Sequence, residues 1–295
     1  MDTTRLHPRI GHYSHPGRQR ELNEDSYLIL IAPEVAPGID FLFAIADGMG
    51  GHRAGDVASR TLVEIFEQQF TSLAYQEQVA CNQQRTDYYV VALDRLLQYA
   101  NEKLFNLAAS RPELSGMGTT ATVVLLAHAH LFWGHVGDSR FYLLREGKLQ
   151  QLTCDHNWVA EQVEAGLITL EEAAYHPQQN VLTRSLGNLA TLEADCGMLP
   201  AQPDDVVLLC SDGLNKVVND TEIRDFLTVE SNLQHACECL VTLANQRGGP
   251  DNVTVLGARL AAGDPEVDYA RRRILGPLTR QTADVVDDTV RLKGN

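Results

Sequence analysis

No stretch of this sequence approaches the roughly 18 consecutive apolar residues that a membrane-crossing helix needs, and its opening, MDTTRLHPRIGHYSHPG, has no apolar run of the length an export signal uses. A cytoplasmic chain with no membrane partner is expected. The six cysteines (Cys81, Cys154, Cys196, Cys210, Cys237 and Cys239) form no CxxC pair, so neither a disulfide framework nor a zinc half-site is expected. Cys237 and Cys239, two apart in a predicted helix, point to different faces. Basic residues are scarce: 24 Lys and Arg against 39 Asp and Glu leave a net charge of −15, which opposes binding to nucleic acid and raises the local concentration of cations. Several signature loops are missing too. There is no Walker Gly-Lys-Ser/Thr, a GxGxxG beginning at Gly48 would need glycine where Arg53 stands, no GxSxG occurs, and no cysteine has arginine six residues later.

At 295 residues with 44% hydrophobic content, and with no repeat and no linker-like shift of composition between Gly11 and about Leu260, the chain reads as one domain over 11–262. Residues 1–10 are expected to be an N-terminal extension. Residues 263–295, charged and poor in large apolar side chains, are expected to be a flexible tail in which Thr279, Thr282 and Thr289 are candidate sites for a partner kinase. Strands are predicted near 26–32 and 40–46, then helices at about 54–70 and 85–109. A β meander follows, with REGK (145–148) as a hairpin turn, then two short helices around Gly166. The last third predicts a strand at 205–210, helices near 220–228 and 231–247, and a strand at 252–260. Helices that come in pairs after groups of strands point to an α+β fold: an α-β-β-α sandwich of two antiparallel sheets with helix pairs outside.

The stretch LFAIADGMGGHRAG runs a buried strand into Asp47 and then into glycines. Three other stretches repeat that grammar: WGHVGDSR with Asp138, VVLLCSDGL with Asp212 and GGPDNVTVL with Asp251. One Asp-Gly is an ordinary turn. Four such carboxylates gathered without counter-charge would raise one another's pKa, a conflict that metal ions resolve. Oxygen donors without Cys or clustered His favour Mg²⁺ or Mn²⁺, and Gly48 would let its carbonyl approach an ion closely. Two such ions sharing a carboxylate and a water form a nucleophile suited to phosphoryl transfer. In GRQRELNEDS, Arg20 offers a fork for two phosphate oxygens, the alternative being a surface arginine paired with Glu21 or Glu24.

Taken in order, RELNEDS, FAIADGMGGHRAGDVAS, GTTAT, GHVGDSRFYLL, LTCDHNWV, NVLTRSLG, LLCSDGL and DNVTVL resemble the motifs of the metal-dependent protein phosphatase 2C family, its bacterial serine/threonine phosphatases in particular, over about residues 11–260. The resemblance implies hydrolysis of phosphoserine and phosphothreonine on proteins by direct attack of a metal-bridging water, in opposition to a bacterial Ser/Thr kinase. It implies two Mn²⁺ or Mg²⁺ ions at the core. Asp47 would bridge them with the Gly48 carbonyl on one, Asp212 and Asp251 would complete the first site, and Glu24 and Asp25 would order waters around the second. Asp138, with Asp212, would hold a third, weaker ion, Arg20 would bind phosphate, and residues 157–180 would be a flap beside the site. Many eukaryotic relatives carry a histidine acid where this chain has Met49, which leaves leaving-group protonation open between His52 and a metal-bound water. A monomer acting on phosphoproteins is expected. The alternatives are a metal-dependent hydrolase of small phosphate esters and a non-catalytic binding module, the latter opposed by the presence of every expected aspartate.

Overall fold

The computed structural model describes residues 6–31, 39–50, 54–79, 85–263 and 273–276. The elements are strands β1 (Leu6–His15), β2 (Asp25–Ile31) and β3 (Ile39–Met49), helices α1 (Ala54–Val79) and α2 (Arg85–Ser110), and strands β4 (Gly118–Thr119), β5 (Ala121–Ala127), β6 (His130–Val136), β7 (Arg140–Arg145) and β8 (Lys148–Gln151). Helices α3 (Trp158–Glu164) and α4 (Leu170–Ala174) follow, then strands β9 (Asp195–Pro200) and β10 (Val206–Cys210). Helices α5 (Asp212–Asn215), α6 (Asp220–Val229) and α7 (Leu233–Gln246) and strands β11 (Val253–Ala262) and β12 (Arg273–Gly276) are the last of the described elements.

The strands form two antiparallel sheets, one ordered β1-β11-β10-β7-β8 and the other β12-β2-β3-β5-β6-β9 with β4 paired to β3. Side chains on a strand alternate between its faces, and here both faces are covered. Phe41, Phe43 and Ile45 of β3 pack between the sheets with Val207 and Leu209 of β10 and Leu256 of β11. The intervening Leu42, Ala44 and Ala46 pack under α1 and α2, and Leu208 and Cys210 pack against the side of α5, α6 and α7. Burial on both faces is why these strands read as unbroken apolar runs, and the expected sandwich is the observed one. The REGK turn is also as expected: Glu146 (φ 50°) and Gly147 (φ 73°) both adopt the left-handed backbone that a two-residue hairpin requires.

Two expectations at the ends of the chain are corrected. Residues 6–10 are part of β1, paired along its length with β11, and do not form an extension. Within the expected flexible tail, β12 pairs with β2, and Arg273 forms an ion pair with Glu67 of α1. β9 was also unforeseen. All three lie at sheet edges, where only one neighbour is needed and a Pro such as Pro8 is tolerated, so no apolar run announces them. Thr279, Thr282, Thr289, Cys81 and His52 lie outside the described residues. Among the described residues no helix is long and apolar enough to cross a membrane.

Candidate metal centre

The register of β2 against β3 sets Asp25 directly opposite Asp47. Asp47 is held by its backbone through GTTAT. Its N–H donates to Thr120 Oγ1 (2.9 Å), and its carbonyl accepts from the Thr120 N–H (2.9 Å) and the Thr119 hydroxyl (3.0 Å). Thr120 Oγ1 also bonds Ser139 Oγ (2.8 Å), which ties this clamp to the turn that carries Asp138. Long-range backbone and hydroxyl contacts therefore fix the position of Asp47 before any ion is considered.

Asp25 is fully buried. Its Oδ2 accepts from Ser211 Oγ (2.8 Å) and Thr254 Oγ1 (2.7 Å), which lie beside Asp212 and Asp251 on the other sheet, so the two sheets are stitched together at the site. Among the described residues its Oδ1 is buried without a partner, as are Asp212 Oδ1 and Glu24 Oε1. A side chain at Gly48 would place its Cβ 2.1 Å from the Gly55 carbonyl oxygen, so only glycine allows β3 to pass this close to the start of α1. A Cβ at Gly55 would in turn stand 2.7 Å from Glu24 Oε1 and 2.8 Å from the Gly48 carbonyl oxygen, so those two oxygens border the same small space.

Burial pushes the Asp25 carboxyl up to about 7, with the charges of Asp212 and Asp251 adding to the rise and the two hydroxyl donors opposing it. Asp138 also rises to about 7, through burial and then the charge of Asp212. Asp47 keeps some surface open to solvent, yet loss of hydration and the neighbouring Asp25, Asp212, Asp138 and Asp251 push it well above the usual carboxylate range. Asp212 is raised by burial, against which Lys216 acts, and Glu24 is raised by burial, against which Arg20 acts. Such mutual elevation is what buried carboxylates show when counter-charge is short.

Among the described residues two cations reach the cluster. Arg20 forks onto Asp251, Nε to Oδ1 at 3.0 Å and Nη2 to Oδ2 at 3.1 Å, and not onto Glu21 or Glu24. The Lys216 ammonium lies 2.5 Å from Asp212 Oδ2 and 3.2 Å from Asp251 Oδ2. Burial by itself would lower the Lys216 pKa, but Asp212, Asp251 and Asp47 outweigh it and raise it. Among the described residues no three His, Cys, Asp or Glu side chains are already closed around one point. The carboxylates face one another with Lys216 between two of them. Among the described residues, all-oxygen donors, three orphaned carboxylate oxygens and a deficit of positive charge fit hard divalent ions such as Mg²⁺ or Mn²⁺.

Asn252 is a supporting residue that the motif reading quoted without assigning. Its Oδ1 accepts from the Glu24 N–H (2.8 Å), and its Nδ2 donates to the carbonyls of Pro16 (2.9 Å) and Leu22 (2.8 Å), pinning the loop that carries Arg20, Glu24 and Asp25. Asn252→Ala is expected to lower Mn²⁺ affinity by about 10- to 100-fold, the usual penalty for removing an outer support of a metal site. A calorimetric titration checks this, and wild-type affinity would show that the loop holds itself. Lys216 was missed as well, although its spacing of four from Asp212 at a helix start was a readable signal.

The sequence over residues 14–246 matches the protein phosphatase 2C family model. The chain belongs to the protein phosphatase 2C family. Among curated relatives of this phosphatase, the serine/threonine phosphatase Stp of Listeria welshimeri is 38% identical over 243 residues, 81% of this chain and 91% of the relative. Among solved structures, the serine/threonine phosphatase PstP/Ppp of Mycobacterium tuberculosis is 36% identical with a TM-score of 0.74, covering 87% of this chain and all of that one. A PstP catalytic domain in complex with two manganese ions is 35% identical with a TM-score of 0.72, again covering 87% of this chain and all of that one.

In this phosphatase the segment 157–180, for which a flap is expected, contains α3 and α4. It is closed at its base by pairing of Asn157 with Leu182 and by the Trp158 N–H donating to the Val181 carbonyl (2.8 Å). Asn157, at the start of this segment, also acts on the Asp138 carboxyl, favouring its charged form. Met49 packs its terminal methyl close to Gly118, so this position holds an apolar contact.

Proposed function

We propose that this chain, a metal-dependent serine/threonine protein phosphatase, performs its hydrolysis at the aspartate cluster where the two sheets meet. The observation that carries the reading is the convergence of Asp25, Asp47, Asp138 and Asp212, with orphaned oxygens on Asp25 and Asp212 and with carboxyls raised by burial and by one another. Asp47, Asp212 and Asp251, with the Gly48 carbonyl, would hold one ion. Asp47 would share the second with waters ordered by Glu24 and Asp25, and Asp138 with Asp212 would hold a third more weakly. The two manganese ions of the related PstP structure support the count of two at the core. When bound, the ions supply an activated water and neutralise charge on the phosphoryl oxygens.

The protein's own groups do the rest. Thr119 and Thr120 keep Asp47 from moving, Ser211 and Thr254 orient Asp25, and Asn252 sets the loop from which Arg20 reaches the site. Arg20 turns its fork from Asp251 to the substrate phosphate, whose paired oxygens match the same guanidinium geometry. Arg20→Ala should raise KM for a phosphothreonine peptide about tenfold with a smaller change in kcat, since a substrate contact is lost while the aspartates stay. Unchanged kinetics would remove Arg20 from substrate binding.

Phosphoserine and phosphothreonine proteins are the substrates, their phosphates placed by a Ser/Thr kinase that this enzyme opposes in the cytoplasm as a monomer. Leu167, Leu170 and Tyr175, exposed on the flap segment, favour protein over small-ester substrates because they offer apolar surface that a small ester does not use. Hydrolysis of a phosphothreonine peptide and of p-nitrophenyl phosphate, each with Mn²⁺ and with EDTA, tests the reading. Metal-dependent turnover that prefers the peptide supports it, and a preference for the small ester would sink it.

A further inference from the structure

One cation of this site has no part in the roles assigned above. Lys216 follows α5, four residues after Asp212, so both side chains project from the same side of that turn. Its ammonium binds Asp212 Oδ2 and Asp251 Oδ2 at once, joining carboxylates 39 residues apart in the chain, whereas Arg20 pairs with Asp251. A divalent ion binds carboxylate oxygens at about 2.0–2.6 Å, closer than the ammonium approaches Asp251, so an ion on the same two oxygens would overlap the present position of Nζ. The two cations exclude each other.

We propose that Lys216 is a resident counter-cation of the metal centre, which holds Asp212 and Asp251 together in the metal-free protein and withdraws when a divalent ion takes their oxygens. The inference rests on the assignment of Asp212 and Asp251 as metal ligands. Lysine suits the task because it carries a compact charge on a flexible stem and can swing away without moving the backbone, which a forked guanidinium does less readily. A side chain that is 27% exposed has a route to solvent. The consequence is a threshold: Lys216 stabilises the metal-free fold and weakens the affinity of the site it occupies.

Calorimetric titration of Mn²⁺ into the wild type and into Lys216→Met and Lys216→Gln at one pH tests this. Both variants should bind the same number of ions with one site about tenfold tighter. Both should also melt at a lower temperature than the wild type in EDTA and recover fully in Mn²⁺. In the wild type, acylation of Lys216 by an N-hydroxysuccinimide ester, read by mass spectrometry, should be slow in EDTA and fast in Mn²⁺, a readout that needs no variant to fold. Equal labelling in both conditions would overturn the proposal, as would wild-type Mn²⁺ affinity in the variants. A raised KM with unchanged metal affinity would make Lys216 a substrate contact instead. Asp212→Asn and Asp251→Asn in the same titration separate the two failures. If neither loses an ion the ligand assignment is wrong, and if they do while the lysine variants bind as wild type, only the counter-cation role falls.

Discussion

Asp47→Asn is expected to lower kcat on a phosphothreonine peptide by at least about 10³-fold, equivalent to about 4 kcal/mol of lost transition-state stabilisation, while the protein still folds. The backbone at this position is held by Thr119 and Thr120, and those bonds do not involve the carboxylate that is replaced. Asparagine keeps the volume and removes the one charge that lies in the field of Asp25, Asp138, Asp212 and Asp251 together. The metal-free variant should therefore melt at a higher temperature than the metal-free wild type even as activity is lost. Opposite movements of activity and stability mark a residue retained for chemistry. Phosphatase assays across a Mn²⁺ series, with circular-dichroism melts in EDTA, check both halves, and near wild-type turnover at saturating Mn²⁺ would show that Asp47 is not a ligand.

In EDTA the wild-type protein should lose stability as pH rises from 6 to 8, while in Mn²⁺ it should not. Asp25 and Asp138 shift from 3.8 to about 7 on folding, and burial and its carboxylate neighbours raise Asp47 as well. Between the unfolded and folded pKa values the native state keeps protons that the unfolded chain has released, so stability falls with rising pH and the full penalty stands above about 7. One such shift taken alone is worth about 4 kcal/mol, and because the groups repel through a shared field their joint effect is smaller than the sum. Histidines act in the opposite sense at lower pH. Burial lowers His135 to about 4 and also lowers His156, and this favours the fold fully above 6.5 and less as pH falls. From about 6.5 upward the carboxylates dominate the slope, and a drop on the order of 5–10 °C in melting temperature is expected by pH 8. Divalent ions bind the deprotonated carboxylates, so the gap between melts in Mn²⁺ and in EDTA should widen with pH. A gap that is constant from pH 6 to 8 would mean that these aspartates do not carry the ions.

Much of the fold was legible because the central strands are buried on both faces. Runs such as VVLLC and FLFAIA can be little else, and where they meet Asp-Gly or Ser-Asp-Gly the strand end is marked. The edge strands were not legible. LHPRIGHYSH contains proline and arginine, DCGMLP is short and half-exposed, and RILG stands alone in a charged stretch; each becomes a strand through the neighbour it pairs with.

At the site the division is similar. The sequence alone determined that four aspartates would stand at strand margins beside Gly, Ser or Asn, because strand period and turn chemistry are local properties of a few adjacent residues. Only the tertiary structure decided that Asp25 faces Asp47, that Asn252 clamps a loop about 230 residues away, and that Lys216 lies between Asp212 and Asp251. Those relations depend on strand register and on which sheet covers which, and such long-range choices are made by burial over the whole chain, beyond the reach of any short window of residues.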